Sequence, residues 1–417
     1  MSAARLAYSA LVYALLPAAL VRLYWRARRE PGYHAHVAER FGYYPGGKPA
    51  APIIWLHAVS VGETRAAEPL VRALAREYPG HTVLITHMTP TGRATGETLF
   101  GPTVLRAYLP YDFPGGVARF LEHYRPRAGI LLETEIWPNL VQACKARGIP
   151  LYLVNARLSA KSSRGYARFA SLVREAFGSL TAVAAQAEDD AQRLRALGAR
   201  RVEVTGNLKF DVTIPPGQLE LGRQWRTRYG PRPVLLAAST RDGEEALLLD
   251  AARLLPPEAL LVIVPRHPQR FDAVAQLIDN RGFRFQRRSR EEPPGPDTRV
   301  ILGDSMGEMA AYYASCDLAL IGGSLLPFGA HNLIEACAIG KPLLLGPHTY
   351  NFAEAAEQAV EVGAALRVES AEHFAAVAAD LLGNPAALSR MGQRGLAWSR
   401  VHQGATGRVM AIVKLRD

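Results

Sequence analysis

A glutamate follows the first apolar run of the chain, at the point where a helix is predicted to begin. The segment reads HAVSVGET from His57, and Ser60-x-x-Glu63 within it matches a capping box, whose acid complements the positive end of the helix dipole. A carboxylate at the end of a parallel strand is also well placed to act as a general base. The local sequence leaves both roles open for Glu63.

Further charged residues follow later apolar runs of the same half. Glu133 and Glu135 stand in ETEIWPN, where one can face a ligand while the other caps the next helix, and the local sequence does not distinguish them. Glycine- and serine-rich segments typical of loops carry basic residues. Such residues usually face solvent, although they are also suited to binding the phosphate groups of a ligand. They are Arg157, Lys161, Arg164 and Lys209.

In the second half, Arg241 and Arg266 each follow an apolar run, and His267 stands next to Arg266. A guanidinium suits bidentate binding of phosphate, whereas His267 can equally be structural. Two glycine-containing segments, GDSMGEM from Gly303 and GGSLLPFGAHNLIE from Gly322, precede predicted helices. Backbone N–H groups at helix starts bind phosphate, and an acid there accepts hydrogen bonds from ribose. These features predict nucleotide binding, although neither segment is a dinucleotide or P-loop motif.

The sequence carries no pattern typical of a metal site. It contains neither Asp-x-Asp nor His-Glu-x-x-His, and its cysteines, Cys144, Cys316 and Cys337, form no Cys-x-x-Cys pair. We therefore expect a reaction without metal or other cofactor, and a reducing compartment.

Short apolar runs alternate with amphipathic stretches, the pattern of a parallel α/β sheet. In the first half these runs begin at residues 53, 82, 128, 150 and 181. The pattern breaks between residues 211 and 233, which are rich in proline, glycine and charge, and then restarts with PVLLAAS, ALLVIVP, LALIGGS and PLLLG. We expect two Rossmann-like domains with ligands in a cleft between them.

Composition and charge narrow the class of partner. The 417 residues are 49% hydrophobic and 21% charged, which excludes a disordered or polytopic membrane protein. A net charge of +11 favours an anionic partner, and nucleic acid is the weakest candidate because the aromatic residues are not interleaved with Lys and Arg. From Leu6 to Val21 no residue is charged, and Arg26, Arg28 and Arg29 follow. This predicts a membrane anchor with the body in the cytoplasm, the alternative being a buried or interfacial helix.

Ten motifs occur in an order that resembles the 3-deoxy-D-manno-octulosonic acid (Kdo) transferases. They are HAVSVGET, MTPTGR, LPYD, ETEIWPN, NARLS, GNLKFD, VPRHPQRF, GDSMGEM, GGSLLPFGAHNLIE and GPHTYNF. The resemblance implies a GT-B fold and inverting transfer of Kdo from CMP-Kdo to a lipid A precursor in lipopolysaccharide core assembly. It also implies a location at the cytoplasmic face of the inner membrane.

The resemblance also assigns residues. It implies that Glu63 is the general base and that Glu133 and Lys209 assist the transition state. The chain departs from the motif at Ala330, where a second glycine usually precedes His-Asn. The CMP contacts that it implies are Arg266, His267, Met306, Gly307, Glu308, Asn332, Leu333, Ile334 and Glu335.

The expected organisation has four parts, namely a membrane anchor (1–29), an acceptor-binding domain (30–210), a linker (211–232) and a CMP-Kdo-binding domain (233–417). A nucleotide-sugar epimerase of similar architecture is the alternative enzyme, which would need no anchor, and a catalytically idle binding module is a third possibility. The sequence leaves open the number of Kdo residues transferred, the exact acceptor and the oligomeric state. It also leaves open whether the anchor spans or lies in the membrane.

Overall fold

The computed structural model describes residues 2–28, 30–212, 214 and 216–415. Arg29 of the predicted anchor, and Thr213 and Pro215 of the predicted linker, lie outside the described residues. The chain forms two compact units, one of Met1–Asp211 with Gln403–Asp417 and the other of Val212–His402. Each unit contains a parallel sheet of seven strands, which confirms the predicted pair of Rossmann-like domains.

The sheet of the first unit has the strand order β3-β2-β1-β4-β5-β6-β7. Five strands coincide with the predicted apolar runs. The two edge strands were not predicted, because β3 contains Arg106 and β7 is three residues long and largely exposed. The strands are β1 (Ile53–His57), β2 (Thr82–His87), β3 (Leu105–Tyr108), β4 (Pro126–Leu132), β5 (Leu151–Ala156), β6 (Ala182–Ala185) and β7 (Val202–Val204).

Helices cover both faces of this sheet. Alternate residues of β1 enter opposite cores, with Trp55 packed among one set of helices and Leu56 among the other. The amphipathic stretch over residues 65–78 is divided at Ala67, because a new helix with Pro69 in its first turn begins at Glu68. The helices are α1 (Ala3–Ala27), α2 (Val61–Ala66), α3 (Glu68–Glu77), α4 (Pro90–Phe100), α5 (Pro114–Tyr124), α6 (Pro138–Ala146), α7 (Ala160–Ala167), α8 (Ala170–Phe177) and α9 (Glu188–Ala196).

The second unit repeats this organisation with the strand order β10-β11-β9-β8-β12-β13-β14. Its strands are β8 (Val234–Thr240), β9 (Leu260–Pro265), β10 (Phe285–Arg287), β11 (Val300–Leu302), β12 (Leu318–Ile321), β13 (Leu343–Leu345) and β14 (Ala365–Arg367). Its helices are α10 (Pro216–Tyr229), α11 (Glu244–Ala251), α12 (Phe271–Asn280), α13 (Met309–Ser315), α14 (Ile334–Ala338), α15 (Ala353–Glu361), α16 (Ala371–Leu382) and α17 (Pro385–His402).

The predicted linker over residues 211–232 contains the helix α10, and from residue 212 onward it belongs to the second unit. Within it, α10 packs against α13, and a Cβ at Gly222 would lie only 2.4 Å from the carbonyl oxygen of Ala311. Trp225 adds a ring contact to Tyr312, with 4.9 Å between centroids. The sequence did not predict this helix, because the segment is polar and rich in proline and only one face of α10 is packed.

The C-terminal boundary also differs from the expected 233–417. A last helix, α18 (Ala405–Ile412), belongs to the first unit, where Val409 and Ile412 join the core that contains Leu56. The carboxylate of Asp211 accepts a hydrogen bond of 2.6 Å from the backbone N–H of Gly404 at the start of this helix. The chain therefore returns to the first unit because α18 buries its apolar face there.

The N-terminal apolar run forms α1, which is long and apolar enough to cross a bilayer, the one such helix among the described residues. The side chain of Ser2 caps it by accepting a hydrogen bond from the backbone N–H of Arg5. Ser9, Leu23 and Ala27 are buried against the rest of the unit. The opposite face exposes apolar side chains, namely Leu6, Leu11, Leu15, Val21, Tyr24 and Trp25.

Candidate functional site

Glu63 lies in the first turn of α2, directly after β1. Its Oε2 accepts a hydrogen bond of 2.8 Å from the backbone N–H of Val59, and its Oε1 accepts one of 2.8 Å from the Ser60 hydroxyl. The Ser60 Oγ in turn accepts from the Glu63 N–H at 3.5 Å. The structure thus contains the predicted capping box. The carboxylate is half-buried rather than enclosed, so the cap leaves it open to a ligand.

Burial dominates the electrostatics of this carboxylate. Removal from water raises the pKa of Glu63 to about 7, the Val59 and Ser60 hydrogen bonds work against this shift, and the charges of Glu133 and Glu135 add to it. The sequence could not rank the helix dipole against burial. A carboxyl group with a pKa near neutrality exchanges a proton at physiological pH, as a general base must.

Glu133 and Lys209, which the resemblance places together, are neighbours in the structure. The Lys209 Nζ lies 3.4 Å from the Glu133 Oε1, and both side chains are partly exposed. Glu133 follows β4 and has a φ of 56°, a left-handed conformation that costs free energy in a residue with a side chain. Its N–H donates to the Val154 carbonyl at 2.9 Å, which holds the turn against β5.

Glu135 has a partner of its own. Its Oε2 accepts a hydrogen bond of 3.0 Å from the indole N–H of Trp137. Burial raises the pKa of Glu135, the Trp137 bond works against this shift, and Glu133 adds to it. The two acids of ETEIWPN therefore have different partners, since Glu133 contacts the ammonium of Lys209 and Glu135 contacts the indole of Trp137. The charge of each raises the pKa of Glu63.

Asn155 helps to place Lys209, although the sequence analysis did not single it out. It is fully buried at the end of β5, and its Oδ1 accepts a hydrogen bond of 2.9 Å from the N–H of Leu208, the residue before Lys209. Its φ of 53° again lies in the left-handed region. The only sign of this role in the sequence is the NARLS motif, which places an asparagine at the end of an apolar strand. A buried asparagine there requires polar partners.

The basic residues of the other loops are more dispersed. Lys161 and Arg164 lie on α7, a helix without buried residues, and Arg157 is exposed before it. The segment predicted as an irregular loop is therefore partly helical, started by Ser159, whose hydroxyl accepts from the Ser162 N–H at 3.1 Å.

In the second unit, cationic groups gather at the carboxyl ends of the adjacent strands β8 and β9. The Arg241 Nη1 lies 2.8 Å from the His267 Nε2, and its guanidinium stacks on Phe328 with 4.7 Å to the ring centroid. Burial, Arg241, Arg266 and Arg270 together lower the pKa of His267. This concentration of positive charge suits an anionic ligand. Arg241 follows an apolar run in the sequence but is not among the predicted CMP contacts.

The buried acid Glu244 shapes the glycine segment that follows β12. Its Oε2 accepts from the N–H of Gly323 at 2.7 Å and of Arg241 at 2.9 Å, and its Oε1 accepts from Leu325 at 3.0 Å. One carboxylate thus fixes the backbone after two neighbouring strands, β8 and β12. Sequence reasoning missed Glu244, since an acid in the first turn of a helix usually faces solvent.

The three predicted CMP contacts of the GDSMGEM segment differ in their exposure and in their partners. Met306 is 55% exposed, and Gly307 has a φ of 79° that a side chain would strain. The Glu308 Oε1 accepts a hydrogen bond of 3.0 Å from the Arg288 guanidinium, which also stacks on Trp225. Glu308 already has an ionic partner, so any ribose contact by this acid has to coexist with Arg288.

The remaining predicted CMP contacts surround the start of α14. Leu333 and Ile334 are fully buried, backbone included, and the Ile334 N–H donates to the Asn332 Oδ1 at 3.0 Å. Asn332 and Glu335 are partly exposed. Just before them, the departing residue Ala330 is buried with a φ of 64°, and its N–H donates to the Gly323 carbonyl at 2.7 Å. The loop tolerates the methyl group in a conformation that favours glycine.

The described part of the chain holds no group of three or more His, Cys, Asp or Glu side chains arranged to hold a metal ion. The three cysteines are buried and unpaired, and burial raises the pKa of each to about 12. The expectation of a reaction without metal or cofactor stays a prediction.

Comparisons with known proteins agree with this description. Residues 35–212 match the family model of 3-deoxy-D-manno-octulosonic-acid transferase (kdotransferase), and residues 244–398 match that of glycosyl transferases group 1. The UDP-GlcNAc 2-epimerase of Neisseria meningitidis, solved with UDP-GlcNAc, superimposes with a TM-score of 0.56 at 16% identity, covering 87% of this chain and 99% of that one. This likeness shows the GT-B-type fold alone.

Two relatives cover nearly the whole chain. The 3-deoxy-D-manno-octulosonic acid transferase of Bordetella pertussis is 46% identical over 420 residues, which cover 96% of this chain and 97% of the relative. The transferase of the same name from Haemophilus influenzae is 37% identical over 418 residues, which cover 98% of each. The chain therefore belongs to the family of 3-deoxy-D-manno-octulosonic acid transferases, which are glycosyltransferases.

Proposed function

We propose that this Kdo transferase takes Kdo from CMP-Kdo and transfers it to a hydroxyl of a lipid A precursor, with Glu63 as the general base. The observation that carries the proposal is the half-buried Glu63 carboxylate, with its pKa raised to about 7, in the same unit as Glu133 and Lys209. A sugar hydroxyl is a poor nucleophile until a base takes its proton, and a base works best when its pKa lies near the operating pH.

The proposed step is a single displacement. The acceptor oxygen forms a bond to the anomeric carbon of Kdo as the bond from that carbon to the phosphate oxygen of CMP breaks. The electron pair of the broken bond leaves with CMP, and the acceptor proton passes to Glu63. Attack opposite to the leaving group inverts the anomeric centre.

Glu133 and Lys209 assist this step as a pair. The ammonium of Lys209, 3.4 Å from Glu133, is held by a carboxylate and remains partly exposed to a ligand. A positioned cation stabilises the negative charge on the attacking oxygen as its proton leaves, and it can also bind the permanent charge of the Kdo carboxylate. Glu133 keeps the cation in place and raises the pKa of Glu63.

The cationic cluster of the second unit would bind the CMP moiety. Arg241 and His267 are in contact, and Arg241 and Arg266 both lower the pKa of His331, with burial the largest cause, to about 3. Guanidinium groups can hold the phosphate in the ground state and accept the charge of the departing CMP. CMP leaves as a monophosphate, so this arrangement needs no cation besides its own side chains.

The surface of α1 supports the proposed acceptor and location. Its exposed face carries Leu6, Leu11, Leu15 and Val21, and α1 contains no acidic residue, whereas Arg22, Arg26 and Arg28 lie at its C-terminal end. Apolar side chains beside arginines suit an anionic bilayer surface. We infer that the enzyme binds the cytoplasmic face of the inner membrane, where an anionic lipid acceptor is presented.

Mass analysis of the product tests donor, acceptor and count together. Purified enzyme is incubated with CMP-Kdo and a tetra-acylated lipid A precursor, and both lipid and nucleotide are analysed. The proposal predicts lipid heavier by one or more Kdo residues and an equal number of CMP molecules. Release of CMP without acceptor would indicate a hydrolase, a changed sugar without transfer would indicate an epimerase, and binding without turnover would indicate an idle module. Each of these results contradicts the proposal.

A further inference from the structure

Polar side chains of α1 contact the body of the first unit, besides the apolar ones that suit a membrane. The Tyr8 hydroxyl donates a hydrogen bond of 3.0 Å to the Asp112 Oδ2. The Ser9 hydroxyl shares its single proton between the Arg5 carbonyl of its own helix, at 2.8 Å, and the Asn139 Oδ1, at 3.0 Å. Asp112, Ser9 and Asn139 are almost fully buried. Hydroxyl groups that only faced lipid would have no reason to meet buried polar partners on two other segments.

Asp112 caps α6 from outside that helix. Trp137, the residue before α6, offers no side-chain hydrogen bond to it. Instead, the Asp112 carboxylate accepts from the N–H of Asn139 at 2.9 Å and of Leu140 at 2.8 Å. Burial raises the pKa of Asp112 to about 7, while these two bonds and the Tyr8 bond work against that shift. The charged form of this carboxylate therefore depends on its donors.

The side chain of Asn139 makes a second connection between α1, Asp112 and the start of α6. Its Nδ2 donates to the Asp112 carbonyl at 2.8 Å, while its Oδ1 accepts from Ser9. Asp112 belongs to the LPYD motif and Asn139 to the ETEIWPN motif, and the proposed chemistry uses neither residue. Two motif residues and two α1 hydroxyls thus form one buried network.

This network holds one end of the loop that carries the acids. The loop runs from Glu133 to Trp137, between β4 and α6. Its first end is fixed by the hydrogen bond from the Glu133 N–H to the Val154 carbonyl, and its second end is the capped start of α6. The left-handed Glu133 lies at the first end, and such a strained conformation persists only where its surroundings impose it.

We propose that Tyr8 and Ser9 are positioning residues for transfer, because they hold the start of α6, and with it the Glu133–Trp137 loop, through Asp112 and Asn139. The inference rests on the proposed function, since its readout is Kdo transfer. The helix that suits the membrane is, in this view, also a structural part of the acceptor-side half of the enzyme. A segment of the chain that binds lipid would then help to set the geometry of the catalytic acids.

The test compares two variants of the full-length enzyme that lack different hydroxyl groups of the same helix. Tyr8→Phe combined with Ser9→Ala removes both bonds to the network. Tyr13→Phe is the matched control, because the Tyr13 hydroxyl accepts from the Gly115 N–H at 3.4 Å and its ring contacts Phe113, partners other than Asp112 and Asn139. Transfer is measured in detergent micelles, where recruitment to a membrane does not limit the rate.

We expect the double variant to lose about threefold to tenfold in kcat, as small displacements of catalytic groups do, with an unchanged KM for CMP-Kdo. Tyr13→Phe should keep the wild-type kcat. Equal rates in the double variant and Tyr13→Phe overturn the inference, and so does a change confined to the KM for CMP-Kdo. A wild-type enzyme that transfers no Kdo at all overturns the proposed function itself, and that result is distinct from the others.

Discussion

Glu63 shows how one carboxylate can serve a helix cap and still be available for proton transfer. Its two hydrogen bonds from Val59 and Ser60 stabilise the charged form, and without them burial would raise the pKa above the value of about 7. The capping box thus tunes the acid as well as starting α2. The sequence predicted the box, but not the balance between burial and hydrogen bonding, which depends on neighbours more than 60 residues away such as Glu133.

The Ser60→Ala variant tests this tuning. Loss of a hydroxyl that donates to the charged carboxylate raises the pKa of Glu63, so more of the base is protonated at a given pH below neutrality. The acid limb of the pH profile of kcat/KM should therefore move to higher pH, by about half a unit or more. The pH profile of transfer measures it, and a limb that stays at the wild-type pH would show that Glu63 does not set it.

At the scale of elements, buried acids fix the loops after strands from outside those loops. Glu244 does so for the segment after β12 in the second unit, and Asp112 does so for α6 in the first. The apolar runs predicted the central strands well, because strands buried on both faces are continuously hydrophobic. They did not predict the edge strands, the inner strand β11 or α10, whose burial depends on packing partners distant in sequence.

The Glu244→Gln variant probes the role of the carboxylate in that loop. An amide keeps one acceptor oxygen but turns an NH₂ donor toward backbone N–H groups, which leaves buried donors unsatisfied. We expect the free energy of unfolding to fall by about 2 kcal/mol and CMP binding to weaken. Chemical denaturation and calorimetric titration with CMP measure the two effects. Glu258→Gln, at an exposed position of the same unit, is the control and should change neither quantity.

At the scale of the whole molecule, each unit carries a different part of the proposed reaction. The first holds Glu63, Glu133 and Lys209, and the second holds the cationic cluster with Arg241 and His267. The sequence predicted this division, because the composition breaks near residue 211 and the apolar pattern restarts. It did not predict the return of α18 to the first unit, since a short apolar helix carries no sign of the core that it joins.

Stabilisation by CMP tests whether the second unit binds the nucleotide. CMP should raise the Tm of the wild type, because it binds the folded state preferentially. The gain in the free energy of unfolding grows as RT ln(1 + [CMP]/Kd) and is about 2.7 kcal/mol at a hundredfold excess over Kd. Arg266→Ala should lose most of this shift, whereas Lys209→Met should keep it. A shift retained in Arg266→Ala and lost in Lys209→Met would reverse the assignment of the two units.

The most direct measurement is the single-turnover rate of Kdo transfer by Glu63→Gln, with donor and acceptor saturating and with CMP binding measured on the same preparation. We expect a rate about 10²- to 10⁴-fold below that of the wild type, because general base catalysis is lost while the donor remains bound. The Kd for CMP should stay unchanged. A rate within about threefold of the wild type, with CMP bound normally, would contradict the role of Glu63 as the base.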